Sequence, residues 1–158
     1  MTFARRLQRL GDRVFDRGRH RDAFAVDERS AVDGDLGSLR GSTYALLVTF
    51  RRDGAAVPSP VWFAVDDAGR AYVKTAADVG KVKRVRADSR VLLAPCTARG
   101  KPTGPALRGT ARVLPAEEWP RAEQLLAAAY GVGRRASEAT LGAIGEVAYL
   151  EIVARRAR

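Results

Sequence analysis

Apolar positions in this chain follow two different periods, and the switch between them divides it. Phe3, Leu7, Leu10 and Val14 recur at helical spacing with Arg5, Arg6, Arg9 and Arg13 between them, which predicts a short basic amphipathic helix. The following RGRHRDAFAVDERSAVDGDLGS is polar and turn-rich, and reads as an irregular connector. We therefore expect residues 1–40 to form a helical extension and connector, and residues 41–158 a β domain. From residue 43 the pattern is that of an antiparallel meander. TYALLVTF is a strand, RRDG an Asp-Gly turn, AVPSPVWFAV a returning strand, DDAGR a second turn and AYVKT a third strand.

The rest of the chain continues in short pieces. KVKRVRAD predicts a short helix with Val82 and Val85 on one side and cations on the other, and RVLLAPC a buried strand. ARGKPTG is a turn, and PALRGTARVL a strand alternating large and small residues. PAEEWPRAEQLLAAAYG opens with proline, sets Glu117 and Glu118 at the positive end of a helix dipole and predicts a helix ending at Gly131. RRASEATLGAI predicts another helix, and EVAYLEIVA a closing strand. Many short strands joined by short loops predict a mainly β fold with a few helices, arranged as an antiparallel barrel.

Composition narrows the partners. The 158 residues, 46% hydrophobic, suffice for one domain with a core. No stretch approaches the roughly 18 apolar residues of a membrane span, and the amino terminus lacks a secretory h-region, so a soluble cytoplasmic protein is expected. One cysteine, Cys96, can form neither an intrachain disulfide nor a zinc cage, and it reads as buried and inert, with lining a pocket the alternative. The net charge of +10 favours anionic partners. Cations are overwhelmingly arginine, yet three of the four lysines, Lys74, Lys81 and Lys83, fall within ten residues. A lysine is a compact point charge suited to a single phosphate oxygen.

Two stretches carry candidate chemistry. In VPSPVWF, Pro58 and Pro60 cannot donate to a ladder, which confines this strand to an edge or rim and leaves amides near Ser59, Val61 and Trp62 for another acceptor. A flavin-like pyrimidine fits such an edge; a proline-blunted edge with a buried Trp62 is the structural alternative. In GKVKR, a helix start behind Gly80 with Lys81, Lys83 and Arg84 favours a phosphate. A solvated helix face or a nonspecific nucleic-acid patch would use the same residues. No Rossmann or P-loop fingerprint occurs, and the sole histidine, His20, lies in the connector, so neither a Ser-His-Asp triad nor a zinc cluster is expected. With 7% aromatic residues and no RNP-like or zinc-finger motif, nucleic acid is disfavoured as a partner. A membrane is disfavoured too, with the basic helix its only point of contact.

The order of LLVTFRRDGAAVPSPVWFAVDDAGRAYVKT, GKVKRVRADSRVLLAPC and ARGKPTGPALRGTARVL resembles the split β-barrel flavin and deazaflavin reductases related to pyridoxamine 5′-phosphate oxidase. It is most similar to their actinobacterial branch that uses coenzyme F-420. The resemblance spans about residues 42 to 154. It implies a six-stranded antiparallel split β-barrel of the FMN-binding type, and a homodimer with cofactor sites at the interface. It also implies hydride transfer to a small electrophile such as a quinone, enone, tetrapyrrole or nitroaromatic. Carried over, Ser59, Pro60, Val61 and Trp62 would border the ring, and Thr75, Gly80, Lys81 and Lys83 would approach the phosphate, with Arg84 and Pro95 nearby. No residue stands out as a general acid. Val79 occupies a place where the family often has a hydroxyl on the phosphate, and ADSRV replaces the frequent NPRV. FMN is the alternative cofactor, and haem is disfavoured because His20 lies outside the barrel. A non-enzymatic cofactor carrier or basic anion-binding module is the alternative from another class.

Overall fold

In the computed structural model the backbone is described for residues 18–141 and 146–157, with side chains described to Tyr130 and again from Glu146. The amphipathic helix expected over residues 3 to 14 lies outside the described residues. The β meander forms as the alternation predicts: β1 (Tyr44–Phe50), β2 (Ala56–Trp62), β3 (Ala64–Val65), β4 (Arg70–Ala76), β5 (Arg90–Cys96), β6 (Leu107–Val113) and β7 (Val147–Ala154). Gly54 and Gly69 turn the first two hairpins with φ of 84° and 77°, a backbone region that side chains disfavour. All strand pairs are antiparallel, in the order β2-β1-β5-β6-β7-β4-β3.

Among the described residues there are seven strands rather than six, because the single run AVPSPVWFAV breaks at Phe63. Ala56–Trp62 pairs with β1, whereas Ala64–Val65 pairs with β4. The two outermost strands of the sheet are thus consecutive in the chain. If the sheet were flat, its edges would stand about 29 Å apart at the usual strand spacing. Trp62 and Ala64 can be separated by no more than about 7 Å. The sheet must therefore curl until its edges meet, and one bent strand closes it.

Alternation sorts side chains into three apolar clusters. Ala45, Leu47, Val61, Val73, Leu93 and Leu150, with others, fill the barrel. Leu46, Val48, Leu92 and Ala94 point outward from β1 and β5 and are covered by Ala23, Val26 and Ala31 of the segment preceding the barrel. That segment contains two short 3-10 turns, Arg21–Ala25 and Leu36–Leu39, and its backbone bonds to the β5–β6 loop and to β6. The third cluster, with Tyr72, Leu114, Leu126 and Tyr149, lies beneath the long helix.

Helix α1 (Gly80–Ala87) places Val82 and Val85 in contact with the barrel end, as their spacing requires. Helix α2 (Trp119–Leu141) follows a 3-10 turn over Ala116–Glu118. It continues past Gly131, where the sequence predicts a stop, and joins the two expected helices into one. An interior glycine costs a helix about 1 kcal/mol relative to alanine, which weakens it without ending it. Among the described residues no helix is long and apolar enough to cross a membrane.

Candidate functional site

Strand β2 is an edge strand, as its prolines require. The buried Pro58 turns its carbonyl away from β1 and accepts a bond from the Arg19 guanidinium. Backbone polar groups alternate along a strand, so residues 58, 60 and 62 face outward, and Ser59 and Val61 face β1, opposite Leu47 and Ala45. Pro58 and Pro60 lack N–H groups. The outward amide of the predicted quartet is thus that of Trp62, rather than those of Ser59 and Val61. Side chains alternate as well. Val61 is buried in the barrel cluster, while Ser59, Pro60 and Trp62 are half-buried.

The Trp62 indole stacks on Tyr130, with centroids 5.2 Å apart and planes 14° from parallel, and Tyr44 packs tilted against it at 6.4 Å. Two protein rings therefore hold the indole in place. Tyr130 also fixes the bend that follows. Its hydroxyl accepts from the Phe63 amide at 2.8 Å and donates to the Thr43 carbonyl at 2.7 Å. Phe63 has left the β1 ladder, so its amide needs this partner.

The start of α1 is electrostatically unusual. Val79 at the N-cap offers no side-chain bond, the first turn holds no acidic residue, and Lys81 adds a cation to the positive end of the helix dipole. Such an end favours an anion. The Lys81 ammonium lies 3.4 Å from the Thr75 hydroxyl at the end of β4. Arg84 folds back toward Gly80, and a Cβ placed there would stand 2.6 Å from its Nη1. Its Nε donates to the Thr49 hydroxyl at 2.7 Å. The structure thus brings Thr75, Gly80, Lys81 and Arg84 together. Lys83 is two positions from Lys81, which sets it on another face of the helix, and it is exposed.

One strand contact links the two halves of the candidate site. Thr49, which holds Arg84, is the Cα partner of Val57 on β2, two residues before Ser59. Pro95 is farther off. It pairs with Ala45, whose other neighbour is Val61, so about 10 Å of sheet separates them. Its ring packs over Gly104. Beside it, burial pushes the Cys96 thiol up to about 12, so it stays protonated and unreactive near neutral pH. His20 caps the first 3-10 turn, its Nδ1 accepting from the Asp22 amide at 3.2 Å.

Three participants carry little local signal in the sequence. Thr49 looks like an ordinary strand residue, Tyr130 like helix filling and Arg19 like one more surface cation. A hydroxyl on the barrel-facing side of a strand was the one available hint for Thr49, because such a group must find a partner.

The anion-favouring helix start, the cations around it and the cradle at Gly80 suit a phosphate. A half-buried edge strand beside them suits a flat ring. Comparison with known proteins gives a family. No curated protein matches the chain. Among solved structures, a protein of unknown function from Agrobacterium tumefaciens superposes with a TM-score of 0.58 at 17% identity, over 77% of this chain and 51% of its own. The chain thus spans about half the length of that protein. A FAD-binding protein from Mesorhizobium loti gives 0.54 at 17% identity, over 75% of this chain and 83% of its own. An F-420 reductase gives 0.51 at 16% identity, over 78% and 95%. Identities this low establish the fold alone. The family model for pyridoxamine 5′-phosphate oxidase, in contrast, matches residues 37–158, more than half of the sequence, and the chain belongs to that family.

Proposed function

We propose that this protein is an oxidoreductase that binds coenzyme F-420 and reduces an electrophilic small molecule such as a quinone, enone, tetrapyrrole or nitroaromatic. The observation that carries the reading is the α1 start. It is a helix end whose N-cap makes no side-chain bond and whose first turn carries Lys81 and no acidic residue, with Arg84 folded toward Gly80. A helix start of this kind favours an anion, and a phosphate with a carboxylate tail suits it.

In this reading Thr75, Gly80, Lys81 and Arg84 hold the phosphate, and the exposed Lys83 meets the tail. Pro60 and Trp62 border the ring along the outward side of β2, with Ser59 beside them and the buried Val61 behind, and Pro95 marks the distant limit of the site. When bound, the deazaflavin supplies a hydride. The chain's own part is to hold and shield. Tyr130 and Tyr44 fix the Trp62 indole, and the Trp62 amide presents a donor at the ring edge. None of the residues assigned to the site here is a histidine or carboxylate, and in this reading the proton comes from water or from the substrate. A homodimer, in which a second copy covers the exposed side of β2, completes the site, and residues 1–40 serve as an extension to the barrel domain.

The test is a side-by-side titration with coenzyme F-420 and FMN at two salt concentrations. Saturable binding that favours F-420 and tolerates salt supports the reading. Preference for FMN keeps the fold and changes the chemistry to that of a flavoprotein. Binding that falls steeply with salt and ignores the ring makes the protein a basic anion-binding module. Lys81→Ala should weaken F-420 binding by about tenfold, the worth of one charge-assisted contact.

A further inference from the structure

Thr49 lies on β1 and is fully buried. By alternation it faces the same side as Ala45 and Leu47, into a barrel otherwise packed with hydrocarbon. A hydroxyl in such surroundings is costly unless it is bonded. Its partner comes from 35 residues away: the Arg84 Nε donates to it at 2.7 Å. That bond engages the inner edge of the guanidinium and sets the plane of the group. The outer edge then lies over the first residue of α1, with Nη1 2.6 Å and Nη2 3.6 Å from where a Cβ on Gly80 would stand. Thr49 thus anchors the guanidinium from within the barrel, and the missing side chain at Gly80 gives it room.

We infer that Thr49 and Gly80 are positioning residues that hold the Arg84 guanidinium over the start of α1, so that it meets a phosphate there with its orientation already set. This rests on the reading above that the α1 start holds the cofactor phosphate. An arginine fixed in this way loses little rotamer freedom on binding, and its planar fork presents two donors where a free arginine would present an ensemble. Thr49 itself touches no ligand. Its contribution is confined to the part of the ligand that Arg84 reaches.

The test compares coenzyme F-420 with the same deazaflavin ring lacking its phosphate. Thr49→Val should weaken binding of the phosphorylated form about tenfold and leave the phosphate-free ring unchanged, whereas Thr49→Ser, which keeps the hydroxyl, should stay within about twofold of the wild type. Gly80→Ala, which pushes the guanidinium aside, should show the same selectivity as Thr49→Val. In an Arg84→Met background Thr49→Val should cost nothing further. Equal losses on both ligands, or losses that add to those of Arg84→Met, would reduce Thr49 to a packing residue and overturn the inference.

If the wild type binds neither ring, the cofactor reading fails, and the inference is decided with inorganic phosphate by NMR of the Arg84 Nε–Hε resonance. A saturable shift in the wild type that Thr49→Val abolishes upholds it; no shift in the wild type overturns it.

Discussion

The Tyr72 hydroxyl lies 3.0 Å from Glu151 Oε2 and 3.2 Å from Asp66 Oδ2, with all three residues buried. Arg112 reaches Glu151 at 2.9 Å and Arg121 reaches Asp66 at 3.1 Å, while Arg70 approaches both carboxylates. A hydroxyl has one proton to give, and ionising it would add a third negative charge to this cluster. Burial first, then the bond and charge of Glu151, push Tyr72 up from 10.0 to about 12. The folded state thus holds this proton more tightly than the unfolded chain. The stability it contributes is complete below pH 10 and is lost as pH rises from 10 toward 12. A series of chemical-denaturation midpoints against pH should show that fall in the wild type, and Tyr72→Phe should flatten it, at a cost near neutral pH of about 1 kcal/mol for the lost bond. An identical alkaline fall in both proteins would assign it to other groups. Little of this was legible in the sequence. Asp66 read as part of a turn and Glu151 as one position in an alternating strand, because the alternation of β4 and β7 says which residues share a face but not which helix will cover it. The candidate site shows the same division. The cations at Lys81 and Arg84 could be read from their place behind Gly80, but the hydroxyl that holds Arg84 lies 35 residues earlier.

Strands and helices were read far better than single contacts, and where the reading missed, a distant contact had overruled a local pattern. Nothing in WFAV marks a break, since Trp62, Phe63, Ala64 and Val65 all suit a strand. The break arises because the strand exchanges one neighbour for another, pairing with β1 before Phe63 and with β4 after it. The amide left over is taken by Tyr130, 67 residues later. Removing that hydroxyl should therefore loosen the corner while leaving the aromatic stack on Trp62. Tyr130→Phe should lower stability by about 1–2 kcal/mol, since it strips a partner from the Phe63 amide and a donor from the Thr43 carbonyl. Tyr130→Leu, which also removes the stack, should cost more and shift the Trp62 emission to the red. The checks are denaturation curves and fluorescence spectra of both variants. An unchanged midpoint for Tyr130→Phe would show that water satisfies the corner equally well. The helix that runs through Gly131 is the converse case, a local stop signal too weak to end the element.

At the scale of the whole molecule, closure of the barrel and its charge act on the same strand. The bend at Phe63 brings the sheet edges together but leaves the outward side of β2 without a neighbouring strand, and prolines keep it from pairing with one. A flat ring lying along that side would meet the Trp62 amide, rest against Pro60 and Trp62, and be open on its other face. The proposed homodimer answers this geometry, because a second copy set against β2 would cover the open face and keep water from it. The consequence is a linkage between assembly and binding. If the ring lies between two copies, it stabilises the dimer by mass action, and dilution of the dimer must weaken the ring's affinity. Sedimentation of the ring-free protein should give a concentration-dependent mass rising to twice 17.1 kDa, and saturating coenzyme F-420 should move the dissociation to lower protein concentration. Salt separates this effect from bulk attraction. A ligand held only by the net charge of +10 would lose its hold on the protein as ionic strength rises and would leave the dimer equilibrium untouched. A protein that sediments as a monomer at every concentration, with and without the ring, would place the whole site within one chain and require the open face of β2 to be covered by substrate instead.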